Sequence, residues 1–194
     1  MSQTRATSMT DRLLAAMRGA AARNYGGESV TELAHALQCG DLARAGGADE
    51  ELQLACLLHD VGRYAVDQTL IADKKDRTPA GPSPGARGHG DVGADLIAPR
   101  VPARVAWCVR MHAEAKRYLC AVEAGYHDTL SPASKRTLAI QGGVMTREEA
   151  DRFVAEPWAH DAIALRRWDD QAKVLGKAMS SLEEWEPLLR RYFG

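Results

Sequence analysis

Ala, Leu, Arg and Glu recur at three- and four-residue spacing along most of the chain, and no sustained alternation of β-branched residues marks a strand. That periodicity predicts an all-α protein. A first helix is expected over residues 11–22, closed by the loop Arg23-Asn24-Tyr25-Gly26-Gly27. Ser29-Val30-Thr31-Glu32 reads as a capping box that opens a helix to residue 45, where Gly46-Gly47 stops it. Asp49 caps a third helix that runs to His59-Asp60 and stops near Gly62. Residues 73–88 turn charged and then rich in Pro and Gly, which reads as a mobile surface loop of the kind that often acts as a lid. A short helix follows over 90–97, broken by Pro99 and Pro102, and a long one over 103–124. Helices over 131–139, 146–155, 160–177 and 181–192 complete the pattern, with no internal repeat.

Composition narrows the class. A chain of 194 residues fits a single domain, 1–194, with one sizeable core. Its 25 Lys+Arg balance 26 Asp+Glu, which argues against the broad basic surface of a nucleic-acid binder. The first ten residues are polar, and no run approaches the roughly 18 apolar residues needed to span a bilayer, so a soluble, cytoplasmic protein without membrane partners is expected. Cys39, Cys56, Cys108 and Cys120 lack CxxC spacing and mostly occupy apolar helical positions, which suits reduced core residues better than zinc ligands.

His59-Asp60, at the end of an apolar helix, is the most pointed chemical feature. A neutral imidazole can bind one metal ion while the adjacent carboxylate binds it too and bridges to a second. His35 shares a helix side with Thr31, Gln38 and Leu42, which suits either an inward ligand or a core histidine bonded to a carbonyl. His89 precedes a helix and reads equally as a ligand or a solvated loop residue. His112 shares a face with Val105, Cys108 and Val109, with Lys116 one turn later, so an anion beside a metal competes with a snorkelling surface lysine. Arg166, Asp169 and Lys173 form either an ion-pair ladder or a metal ligand, Asp169, beside an anion-binding fork, Arg166.

The order His35, His59-Asp60, His89, His112, Asp169 on separate helices resembles the HD-domain superfamily, whose pattern is H…HD…D, and the extra histidines match its two-metal subset. Tyr25-Gly26-Gly27-Glu28, Leu37-Gln38-Cys39, Leu57-Leu58-His59-Asp60-Val61-Gly62, Val92-Gly93-Ala94-Asp95, Ala115-Lys116-Arg117-Tyr118-Leu119, Leu130-Ser131-Pro132-Ala133-Ser134, Gln141-Gly142-Gly143 and Arg167-Trp168-Asp169 together resemble the phosphonate-degrading HD-domain di-iron oxygenases. The likeness runs from Tyr25 to Lys173, within a metal-binding core of about 25–177.

That resemblance implies a helical HD bundle holding a mixed-valent Fe(II)/Fe(III) pair, with O2 as co-substrate, that breaks the C–P bond of (R)-1-hydroxy-2-aminoethylphosphonate and releases phosphate and glycine or its N-methylated counterpart. It implies His35, His59, Asp60 and Asp169 on one iron, His89 and His112 on the other, and Asp60 as the bridge. It places Lys116, Ser134, Gln141 and Arg166 near the phosphonate and Glu28 toward the substrate ammonium. Tyr25 would occupy an open iron position until Glu28 finds the cation. An upstream 2-oxoglutarate-dependent hydroxylase would supply the hydroxylated substrate. Arg63 departs from the glycine-forming pattern, which has histidine there, and the loop before His89 looks longer; an N-trimethylated substrate yielding glycine betaine would fit the change. A hydrolytic HD phosphohydrolase acting on a phosphate ester or nucleotide, and a regulatory helical module without turnover, are the competing readings.

Overall fold

The structure is a computed structural model that describes residues 8–65 and 88–194. Of the candidate lid, 73–88, all but Gly88 lies outside the described residues. The described residues form eleven helices and no strand: α1 (Met9–Ala20), α2 (Glu32–Ala45), α3 (Glu50–Leu58), α4 (Val61–Tyr64), α5 (His89–Ile97), α6 (Ala103–Val122), α7 (Tyr126–Thr129), α8 (Pro132–Ile140), α9 (Arg147–Val154), α10 (Ala159–Gln171) and α11 (Leu182–Phe193). The expected all-α architecture is therefore the observed one. No described helix is long and apolar enough to cross a membrane.

Helix starts follow local side-chain chemistry. Ser8, Thr146 and Ser181 each complete a capping box with an acidic residue three positions on. Asp49 caps α3 by accepting from the Leu52 amide. At α2 the expectation needs correction: Thr31, not Ser29, is the N-cap, accepting from the Ala34 amide. Glu32 is thereby released from capping, and its carboxylate meets Arg23 at 3.0 Å and Arg63 at 3.3 Å instead.

α10 also ends earlier than its periodicity predicts, at Gln171 rather than 177. Side chains of α2 take the backbone groups that would have continued it. His35 Nδ1 lies 2.8 Å from the Ala172 carbonyl, while the Gln38 amide donates to Val174 O at 2.9 Å and accepts from Val174 N at 3.2 Å. Two short helices, α4 and α7, fall below the length that a 3.6-residue period can reveal.

The twenty-residue α6 is the central strut, packed against α3, α5, α9 and α10. Its buried positions Val105, Cys108 and Val109 enter the main core, which gathers Leu13, Met17, Leu54, Leu57, Leu58, Leu165 and Trp185 from four other helices. α11 closes that core with Trp185, whose indole sits where Gly40 leaves room; a Cβ there would lie 2.8 Å from the ring. The four cysteines are free thiols, three of them buried, as expected of core residues.

The approach of α4 to α5 is closer still. A Cβ at Gly62 would lie 2.1 Å from the His89 carbonyl oxygen and 2.6 Å from the Gly93 amide nitrogen, so only glycine permits the crossing. Backbone cannot yield as a flexible side chain can. Gly62→Ala is expected to lower unfolding stability by about 2 kcal/mol or more, as overpacking does; an unchanged urea midpoint would show that the two helices separate without penalty.

Candidate metal centre

His59 and Asp60 are adjacent in sequence, and on one continuous helix their side chains would diverge by about 100°. The chain avoids this by breaking the helix between them: His59 is the C-cap of α3, and Asp60, at φ −102° and ψ 13°, is the N-cap of α4. Both then turn to one interior point. His35 reaches it from α2, His89 from the first turn of α5, His112 from α6 and Asp169 from the last turn of α10. His89 thus opens its helix rather than preceding it. Five of the six are buried, and His89 is half-buried.

Two groups of donors result, His35 with His59 and Asp169, and Asp60 with His89 and His112, the ligand atoms of each lying within 4.8 Å of one another. Asp60 joins them. Its Oδ2 faces His59 Nε2 at 3.4 Å and His35 Nε2 at 3.9 Å, while its Oδ1 faces His89 Nε2 at 3.0 Å and His112 Nε2 at 3.9 Å.

Tautomers decide what these contacts mean. His35, His59 and His112 hold Nδ1 2.8, 2.8 and 2.7 Å from the carbonyl oxygens of Ala172, Cys56 and Val109. A carbonyl only accepts, so each Nδ1 carries the hydrogen and each neutral ring presents a bare lone pair at Nε2. Those lone pairs face each other and face carboxylate oxygens. His35 Nε2 lies 3.0 Å from His59 Nε2, and Asp60 Oδ1, Asp60 Oδ2 and Asp169 Oδ1 are buried without a hydrogen-bond donor. Converging lone pairs of this kind repel unless a cation lies between them, and buried unpaired acceptors are individually unfavourable. The donor set therefore fits bound metal. Backbone carbonyls orienting ligand imidazoles are the usual outer support of such sites.

The electrostatics agree. Burial opposes the charged form of His59, yet Asp60 draws its pKa well above the ordinary imidazole range, so this pair attracts positive charge, whether proton or metal ion. Burial, with His89 and His59 beside it, pushes His112 down to about 3, which leaves that ring a neutral donor. Burial would raise Asp169, but Arg166 and Lys173 hold its carboxyl well below the usual range.

A cavity of about 50 Å³ adjoins the donors, lined among others by Tyr25, Arg63, Lys116, Ser134, Gln141 and Arg166, which is space for a few waters or one small head group. Arg166 Nη1 donates to Asp169 Oδ2 at 2.7 Å, and its other nitrogens meet Asp170 and the Tyr126 hydroxyl. Lys116 donates to Thr137 Oγ1 at 2.8 Å and to Ser134 O at 3.3 Å. An ammonium has three donors, so one remains for a ligand. The Tyr25 ring stacks on His35, centroids 3.7 Å apart, and Arg63 Cζ lies 4.9 Å from the Tyr25 centroid.

Of the thirteen residues singled out in the sequence, twelve line the donor groups or this cavity. Glu28 does not: its carboxylate accepts from the Ser131 hydroxyl at 2.6 Å. Sequence reasoning missed Thr137, Tyr126 and Asp170. Thr137 was within reach, since it stands three residues after Ser134 on one helix face. The other two depend on the undetected α7 and on the tertiary contact between Tyr126 and Asp170.

Residues 33–156 match the family model of the HD domain. The hydroxymethylphosphonate dioxygenase of Gimesia maris is 42% identical over 158 residues, 81% of this chain and 75% of that protein. The glycine-betaine-forming 1-hydroxy-2-(trimethylamino)ethyl phosphonate dioxygenase of Leisingera caerulea is 33% identical over 169 residues, 86% of this chain and 81% of that protein. An uncharacterized protein of Acanthamoeba polyphaga mimivirus is 34% identical over 170 residues, 87% of this chain and 74% of that protein.

Burial and the nearby Arg166 lower Lys116 to about 8. It is therefore cationic below that pH and neutral above it, and any anion affinity it provides must fall as pH rises through 8. Inorganic phosphate is expected to bind roughly tenfold more weakly at pH 9.5 than at pH 7.5, as loss of one charged hydrogen bond implies. Calorimetry with Lys116→Met should give a nearly flat profile; a wild-type profile equally flat would remove Lys116 from the anion site.

Proposed function

The chain belongs to the HD-domain family, and from that premise we propose that it is a dioxygenase breaking the carbon–phosphorus bond of a hydroxyphosphonate at a pair of iron ions. The observation that carries this reading is Asp60, whose two donor-free oxygens face two separate sets of imidazole nitrogens. One ion would be held by His35, His59, Asp60 and Asp169, the other by Asp60, His89 and His112. Four imidazoles and two carboxylates without a thiolate suit iron or manganese better than structural zinc. When bound, the pair would supply the activation of dioxygen and the oxidising equivalents. Mixed valence, Fe(II)/Fe(III), would keep one member oxidised and one reduced.

The protein's own groups prepare the substrate. Arg166 would hold the phosphonate through a charge-assisted bond, its planar fork aimed by Asp169 on one side and Asp170 on the other. Lys116 adds its third N–H, and Ser134 and Gln141 complete the head-group contacts; Gln141 Oε1 is buried without a partner and can accept from a ligand donor. Half-buried Tyr25, its hydroxyl raised well above the ordinary phenol range by desolvation and by Asp169 and Asp60, keeps its proton and would move aside as substrate arrives. A substrate hydroxyl on the carbon next to phosphorus places the reacting C–H between the anion site and the donors. The overall change, hydroxyphosphonate plus O2 to carboxylic acid plus phosphate, balances without another reactant. The two relatives named as phosphonate dioxygenases support the reaction class. A hydroxylase, 2-oxoglutarate-dependent in the simplest case, would be the reaction that supplies the hydroxyl.

Oxygen uptake and phosphate release should rise together, one to one, when a hydroxyphosphonate is added. Equal phosphate release under anaerobic conditions would instead assign the centre to hydrolysis. Purified protein should contain about two irons per chain by elemental analysis, and Asp60→Ala no more than one. Two irons retained in that variant would rule out the bridge.

A further inference from the structure

The reading above leaves open what the substrate carbon carries beside its hydroxyl, and the inference here rests on that reading. Among the described residues, three basic side chains line the cavity, Lys116, Arg166 and Arg63, against one carboxylate, Asp169, of which one oxygen already accepts from Arg166 and the other faces His35. Lys116 and Arg166 cluster on Ser134, where they serve the phosphonate. Arg63 belongs to a different group, with Tyr25 and Gly26; its Nη2 lies 3.7 Å from where a Cβ on Gly26 would stand.

A substrate ammonium in this cavity would need a counter-charge. The first two carboxylates after Tyr25 in the chain are both engaged. Glu28 accepts from Ser131 and is absent from the lining, and Glu32 is held between Arg23 and Arg63. An arginine keeps its charge throughout the physiological pH range, and here Asp60 and Glu32 favour the charged form against burial. We infer that Arg63 is a specificity-determining residue: it excludes hydroxyphosphonates bearing an ammonium or trimethylammonium group and admits those whose carbon substituent is uncharged, hydroxymethylphosphonate being the smallest. Like charges in a partly dry pocket repel strongly, which builds selectivity by penalising the wrong ligand.

The test compares wild-type kcat/KM for hydroxymethylphosphonate, 1-hydroxy-2-aminoethylphosphonate and its N-trimethyl analogue by oxygen uptake. The first is expected to exceed both others by at least tenfold, about 1.4 kcal/mol. Arg63→Met should reduce that ratio at least tenfold, and Arg63→Lys should keep it. Glu32 retains Arg23 in both variants, so neither leaves it unpaired. Binding supplies a readout without turnover: under anaerobic conditions propylphosphonate should bind at least tenfold more tightly than 2-aminoethylphosphonate, from which it differs by CH3 for NH3+. Parity between the charged and uncharged members of either set in the wild type overturns the inference, whether or not Arg63→Met folds. An unchanged ratio in a folded Arg63→Met variant also overturns it. No oxygen uptake with any of the three phosphonates would overturn the oxygenase reading instead, and the inference with it.

Discussion

Everything in this structure is arranged around a carboxylate that has no hydrogen-bond donor. Asp60 is 3% exposed, neither oxygen is given a hydrogen-bond donor by the described residues, and four imidazoles surround it. Such a group is strongly unfavourable in a folded protein unless positive charge compensates it. Two features of the backbone exist to place it: the helix break at His59-Asp60, and the glycine crossing that brings α5 against α4. The apolar core contributes the stability that lets the chain tolerate this concentration of unpaired acceptors, with Leu54, Leu57 and Leu58 buried on the same short helix that ends in His59. Function and folding thus oppose each other locally, as is common at sites built for chemistry.

Charge is sorted within a few side chains. The interior donors are acidic or neutral, and beyond them the cavity wall is basic. Arg166 stands at the boundary and belongs to both zones, pairing with Asp169 on the inner side and with Asp170 and Tyr126 on the outer. One arginine can do this because its five donors lie in a fixed plane. A lysine at that position would satisfy one neighbour and leave the others. Asp170 and Tyr126 are therefore positioning residues for Arg166.

Much of this was readable in the sequence, for identifiable reasons. The helices betrayed themselves by period and caps, and three of the six donors, His59, Asp60 and His112, lie at positions where an ionisable residue interrupts an apolar face or ends it. Asp169 was ambiguous because an Arg166-Asp169-Lys173 ladder has the same spacing as a ligand with its supports; the structure contains both, one carboxylate oxygen to each. Glu32 was misread because capping boxes are recognised by local spacing, whereas the fate of its carboxylate was settled by Arg23 and Arg63, arginines from other segments. The end of α10 escaped for the same reason: His35 and Gln38 capture backbone more than 130 residues away. Local signals name residues and starts of elements, while stops and partners belong to tertiary structure.

Three of the four imidazoles are aimed by main-chain oxygens, those of Cys56, Val109 and Ala172. No side-chain substitution at those positions deletes the atom that does the aiming. An alanine scan would accordingly pass over them as silent, and a chain could exchange Cys56 or Val109 for another small apolar residue with the ring tautomers unaltered. The instructions for the outer shell are written in the path of the backbone, not in the alphabet of its side chains, so what a descendant of this chain must inherit there is a curve in space.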